Sequence, residues 1–274
     1  MDLSVTIAGK RYQVDLARQK SLGIPLQFNG PQPNFFGAPR AEATPLSLSN
    51  FVGDTQWGGG CNVSEIRIVP HCNGTHTESA GHILHQRLAA FEVLPQNLMP
   101  AVVVSVTPIL GSDIQEVYRP VLEAQDRLIT RAELSEGLAN YAQDELTALV
   151  VRTLPNDDAK KQRQYGDGDE SPFFTVDAMN HLVEQGVKHL LVDFPSIDKM
   201  NDEGMLTNHH IFWNVPEGAH DTTSETRVST TVTEMVFVSD DIPDGLYLLN
   251  LQVPAFHTDA VPSSPVLYPL KGLC

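Results

Sequence analysis

Between Cys72 and His82 the chain reads Cys-Asn-Gly-Thr-His-Thr-Glu-Ser-Ala-Gly-His, its densest run of side chains able to do chemistry. Imidazole nitrogen, carboxylate oxygen and thiolate sulfur are all competent ligands for Zn²⁺, whereas a thiolate is a poor partner for Mg²⁺ or Ca²⁺. If a strand persists through Glu78, then Cys72, His76 and Glu78 share parity and point to one side, as a metal needs from a single strand, while His71 points the other way. Taken singly, His76 and His82 could be hydrogen-bonded structural histidines and Glu78 a solvated charge, and the spacing matches no closed zinc-finger pattern. Cys72 close to His76 or His82 also suggests a cysteine nucleophile with its base. That chemistry would need a thiolate of lowered pKa and an oxyanion hole, and neither is visible in the sequence.

The cluster must be carried by a scaffold, and the chain reads as alternating strands and helices joined by long loops. Residues 4–7 and 11–15 form a hairpin around Ala8, Gly9 and Lys10. Residues 20–46, rich in Gly and Pro, form a long irregular loop, and residues 61–69 alternate as a strand covered on both faces and leading into the cluster. The β-branched runs 101–106 and 148–152 are expected to be buried strands. Thr130 with Glu133 forms a capping box for a helix through Tyr141, and Thr175 starts a second helix, 176–185, stopped by Gly186 before the apolar strand 189–193. A strand is expected near 209–214, a polar surface insertion at 215–227, and a strand at 228–238 that turns at 240–245 to pair with 246–253. The C-terminal segment, with Pro254, Pro262, Pro265 and Pro269, is expected to be extended and packed on the body. This succession is an α/β pattern.

Composition narrows the function classes. With 41% hydrophobic and 19% charged residues in 274, there is enough apolar material for one sizeable core. Thirty-four acidic against 18 basic residues give a formal charge of -16, which repels both a phosphate backbone and an anionic membrane, so neither nucleic acid nor membrane is an expected partner. The first residues have no basic start followed by an apolar run, and no stretch approaches the about 20 apolar residues of a membrane helix. Three widely spaced cysteines, Cys61, Cys72 and Cys274, indicate no disulfide framework, and a soluble protein of the reducing cytoplasm is expected. Phe28, Phe35, Phe36 and Trp57 are candidates to line an aromatic pocket, with Tyr165 and Phe173, flanking the polar residues 167–170, as weaker ones.

The cluster resembles the signature His-x-Gly-Thr-His-x-Asp-x-Pro-x-His of the cyclase family of metal-dependent hydrolases, the kynurenine formamidase-like proteins, matched at Gly74, Thr75, His76 and His82. Residues 192–198, Val-Asp-Phe-Pro-Ser-Ile-Asp, are similar to its Gly-Ile-Asp-x-x-Ser-x-Asp segment. Residues 208–212 resemble its Ala-His-Arg-x-Leu segment, and 233–235 with 242–245 resemble the strand and turn of its last carboxylate ligand. Asp15-Leu16 and Ser264-Pro265 are weaker landmarks. The chain departs from the family where Cys72 stands for the first histidine ligand, Glu78 for a bridging aspartate, and Gly81 or Ala80 for the proline. Parity favours Cys72 as the replacement ligand; His71, after a local bulge, or an empty first position are the alternatives.

What the resemblance implies is a single α/β domain over 1–274, with a central β-rich, barrel-like core flanked by helices. It further implies one or two ions, Zn²⁺ or else Mn²⁺, held by Cys72, His76, Glu78, His209 and Glu234, with His82 transferring protons. The expected reaction is hydrolysis of an aryl formamide or a cyclic amide, imide or ester by metal-bound hydroxide, in a homodimer or homotetramer acting on a small molecule. A degenerate member that binds a metal or ligand without turnover is the alternative.

Overall fold

A computed structural model describes residues 2–94, 97–166, 168 and 171–273. Cys274 and the polar residues Asp167, Asp169 and Glu170 lie outside the described residues. One large mixed sheet organises the molecule. Its strands are β1 (Leu3–Ile7), β2 (Lys10–Val14), β3 (Lys20–Ser21), β4 (His76–Ser79), β5 (Leu98–Val106), β6 (Ala148–Thr153), β7 (His189–Val192), β8 (Thr231–Glu234), β9 (Gly245–Asn250), β10 (Ala260–Pro262) and β11 (Val266–Gly272). They run in the order β1-β2-β11-β9-β5-β6-β7-β8-β4-β10, with β3 also paired to β11. The four central strands β5 to β8 are parallel, and antiparallel pairs flank them on both sides. This is the expected α/β class. The pairings among the described residues form an open path, so the barrel closure implied by the resemblance is not among them.

The β-branched runs became buried central strands because every residue from Ala148 to Thr153 is covered on both faces. Val102, Val104, Leu149, Val151 and Leu190 pack toward helices α1 (Arg131–Leu138) and α2 (Val176–Glu184). Val103, Val150 and Leu191 point the other way, against Leu22, Val236, Ile242 and Leu249. Both helix starts are as expected: Glu133 accepts from the Thr130 backbone N–H at 3.1 Å, and Thr175 Oγ1 caps Ala178 N–H at 3.2 Å, caps worth about 1 kcal/mol each. Helix α1 stops at Leu138, three residues before the expected end. The β1–β2 hairpin turns at Ala8 and Gly9, both at positive φ as a two-residue hairpin requires.

Three expectations are corrected. Residues 209–214 lie in a helix, α3 (Thr207–Trp213), ended by Asn214 at φ +52°. Asn208, His209, Phe212 and Trp213 are its inward-facing residues, a helical spacing that a short apolar run does not distinguish from a strand. The 228–238 strand is limited to Thr231–Glu234, because Met235 takes φ +52°. Its expected partner, β9, pairs instead with β5 and β11: Arg152 draws the intervening turn inward by donating to the carbonyls of Ser239 and Ile242 and to Asp244. The 61–69 strand shrinks to Ser64–Arg67, exposed along its length and, among the described residues, paired with Glu42–Pro45 in a two-stranded sheet of its own. The proline-rich C-terminal segment, by contrast, enters the sheet as β10 and β11. No helix among the described residues is long and apolar enough to cross a membrane.

One buried core polar group sets a pH prediction. His189 on β7 is 5% exposed with Nδ1 2.9 Å from Thr231 Oγ1, and burial pushes its pKa down to about 4, Lys188 and Arg227 adding to the effect. The unfolded chain therefore binds a proton that the fold refuses, so stability falls as pH drops from about 6.5 to about 4. At 1.36 kcal/mol per pH unit the loss is about 3 kcal/mol. Urea denaturation at stepped pH should show a shallower acid-side slope for His189→Gln than for the native chain, and equal slopes would refute this origin.

Candidate metal centre

Strand β4 is short, and its two antiparallel neighbours set the geometry of the site. His76 and Glu78 lie on one face, and the register places Glu234 directly opposite His76. His76 Nε2 is consequently 3.4 Å from Glu234 Oε2. On the opposite face Thr77 and Thr233 hydroxyls meet at 2.8 Å and lock that register. The chain reaches β4 through a turn in which Gly74 takes φ +129°. It leaves by a turn where a Cβ on Gly81 would stand 2.8 Å from the backbone of Leu88, so only glycine fits.

His76 is fully buried, and its Nδ1 lies 3.0 Å from the Gly74 carbonyl. A carbonyl only accepts, so Nδ1 carries the proton and Nε2 presents a lone pair. That Nε2 is buried and lacks a hydrogen-bond partner, with the Glu234 carboxylate facing it. An uncompensated lone pair opposite a carboxylate is costly unless a cation sits between them. The two atoms are close enough for one cation to be held by both.

Helix α3 brings His209 to the same place from the far side. Its Nε2 is 2.9 Å from Glu78 Oε1, and its Nδ1 is 2.5 Å from Asp198 Oδ2. Asp198 also accepts from the Tyr118 hydroxyl at 2.7 Å and from Asn208 N–H at 2.6 Å. A carboxylate behind a histidine in this way fixes its orientation and raises its basicity. Burial opposes the charge on His209, but Glu78 and Asp198 outweigh it and hold its pKa well above the ordinary imidazole value. Burial likewise opposes ionisation of Glu78, and the imidazoles of His82, His209 and His71 hold it well below the usual carboxylate range.

His71 and His82 complete the cluster with a residue that sequence reasoning missed, Asp259. His71 Nε2 lies 3.1 Å from Asp259 Oδ2 and 3.5 Å from Glu78 Oε2; His82 Nδ1 lies 3.8 Å from Asp259 and 4.0 Å from Glu78. Three groups of donors thus cluster within 4.8 Å: His76, Glu78 and Glu234; Glu78, His82 and His209; His71, His82 and Asp259. Glu78 belongs to two of them. Asp259 stands alone in the proline-rich tail without a neighbouring motif, so nothing marked it. Asp198 was legible only as part of the resembling 192–198 segment.

Cys72 is not in these groups. Strand β4 begins at His76 rather than persisting from Cys72, so the parity that joined them does not hold. Cys72 packs against Phe35, Tyr165 and Met235. Burial, with the Glu234 charge, pushes its thiol pKa up, the opposite of what a nucleophilic thiolate requires.

Of the candidate pocket aromatics, Phe36 lines a cavity of about 1100 Å³ together with His82, Val121, Met200 and Leu206. Phe35 and Tyr165 are core residues beside Cys72, Phe173 packs with Tyr118 elsewhere, and Trp57 is exposed. Phe28, half-buried, does not line that cavity.

The chain is 24% identical over 214 residues to kynurenine formamidase of Bacillus thuringiensis (strain Al Hakam), covering 77% of this chain and 82% of the relative. Isatin hydrolase A from Labrenzia aggregata, bound to benzyl benzoate, superposes with a TM-score of 0.60 at 16% identity, over 92% of this chain and 93% of that one. A predicted metal-dependent hydrolase from Bacillus stearothermophilus gives a TM-score of 0.58 at 17% identity, over 92% and 98%. These structural likenesses show a shared fold. The family described as "Putative cyclase" matches residues 1–199, and with most of its length so matched the chain belongs to the cyclase family.

Proposed function

We propose that this chain is a metal-dependent hydrolase that cleaves an amide, either an aryl formamide or a cyclic amide, imide or ester. The observation that carries the reading is the buried, unpartnered Nε2 of His76 facing Glu234. The curated relative and the solved structures of the family support it. His76, Glu78, His209 and Glu234 would hold the ion, with His71 rather than Cys72 as the further imidazole. Without Cys72 the donors are nitrogen and oxygen only, so the thiolate argument for zinc falls away and Mn²⁺ fits as well as Zn²⁺. When bound, such an ion supplies polarisation of a carbonyl and acidification of water.

The chain's own residues do the rest. Asp198 orients His209, and the Thr77–Thr233 contact keeps β4 and β8 in register. His82 is 26% exposed at the wall of the large cavity, within reach of both a substrate and Asp259, the position of a proton carrier. Phe36, Met200 and Leu206 give that cavity an apolar side for the organic part of the substrate.

Metal analysis of protein purified with Zn²⁺ or Mn²⁺, alongside assays of formyl-aryl amides, cyclic imides and lactams, tests the reading. His71→Ala is expected to lose about 10-fold or more in metal affinity, whereas Cys72→Ala should retain it. The reverse pattern would restore Cys72 as the ligand. Failure of the native chain to take up either ion would leave a ligand-binding protein without this chemistry.

A further inference from the structure

Helices α2 and α3 pack against each other and border a second cavity of about 700 Å³, within the size range of small-molecule sites. It shares Arg119 with the cavity beside His82, but His82 and His209 do not line it. Val176, Val183, Ile211 and Val215 make its walls largely apolar. Of its charged side chains, Arg119 and Glu217 pair with each other at 3.3 Å and Glu225 is exposed, so no buried unpaired charge is offered to a ligand. The cavity's buried polar group is His210, 6% exposed, whose Nδ1 lies 3.1 Å from the Val215 carbonyl. Because that carbonyl can only accept, the neutral ring carries its proton on Nδ1. Its Nε2 is then an acceptor, without a hydrogen-bond partner among the described residues.

The wall also contains Tyr118, whose hydroxyl donates to Asp198, which in turn holds Nδ1 of His209. We propose that this cavity is a second ligand site, for a small, uncharged, largely apolar molecule that donates a hydrogen bond to Nε2 of His210, and that its occupancy is transmitted to His209 through Tyr118 and Asp198. The transmission rests on the metal reading above; the binding does not. A ligand pressing on Tyr118 bears directly on the group that orients His209, so the two sites are coupled reciprocally.

Phenol and anisole separate the terms, since they share a ring but only phenol donates. Trp213 lies in α3 with its ring 5.3 Å from that of His209, and in Trp57→Phe it is the single tryptophan. In the metal-free Trp57→Phe protein, phenol should change Trp213 fluorescence saturably, and anisole, which cannot donate the hydrogen bond, should need about tenfold more. Val183→Phe, which fills the cavity, should abolish the response. Equal titrations of phenol and anisole, or an unchanged response in Val183→Phe, would overturn the site. With Zn²⁺ added, saturating phenol should shift zinc affinity about fivefold or more, and Tyr118→Phe should remove that shift while phenol still binds. An unshifted affinity overturns the transmission. Absence of zinc uptake defeats the metal reading and the transmission with it, while the metal-free titration decides the site independently.

Discussion

His82→Ala is expected to lower turnover of a hydrolysed amide by about 10²- to 10⁴-fold, the usual contribution of a positioned proton carrier, with the bound metal retained. The basis is its placement. Among the histidines of the centre His82 is the one that lines the large cavity, and it stands at 3.8 to 4.0 Å from the carboxylates of Asp259 and Glu78. The two measurements must be made together. Loss of metal along with activity would make His82 a ligand, as its grouping with Glu78 and His209 also permits. Full activity would remove it from the mechanism. Asp259→Asn should reproduce part of the defect, because His82 then loses the carboxylate beside it.

The largest effect on stability is expected at Lys160→Met. Lys160 Nζ is buried, 2.7 Å from Asp193 Oδ2, and also donates to the Thr153 carbonyl and hydroxyl at 2.8 and 2.9 Å. Asp193 is 1% exposed and in addition accepts from Thr153 N–H and its hydroxyl. Burial pushes the Asp193 pKa up even with the ammonium present. Methionine keeps the volume but leaves that carboxylate buried without its cation, which typically costs about 3–5 kcal/mol. Denaturant titration checks this, and a loss below about 1 kcal/mol would refute it. Adding Asp193→Asn should recover part of the loss, since the two residues act as one unit. Asp193 and Asp198, five residues apart in one motif, thus do different work: the first braces the ends of β6 and β7, the second aims His209.

His76, Glu78, His209 and Glu234 carried motifs, and the structure brings all four together. The buried parallel strands were legible because residues covered on both faces must be continuously apolar. The element holding His209 reads equally as strand or helix because its apolar run, Ile211 to Trp213, is only three residues long and carries no periodicity. Cys72 falls outside the donor groups for a related reason: parity holds only while the chain stays extended, and it turns between Val69 and His76. Asp259 and Tyr118 act across the fold, on His82 and Asp198, and no local pattern encodes such partners.

The pairing of His76 with Glu234 also has a consequence for how the protein acquires its function. Glu78 and His209 are 131 residues apart in sequence yet in contact, and Thr77 meets Thr233 across 156. Contacts of such long range carry the closure entropy of all the intervening chain. A nascent or truncated chain ending at residue 199, though it contains the whole segment matched by the family, would hold His76 and Glu78 but lack His209 and β8. The centre therefore exists only where chain from both halves of the sequence meets on neighbouring strands, and its integrity reports the β4–β8 register.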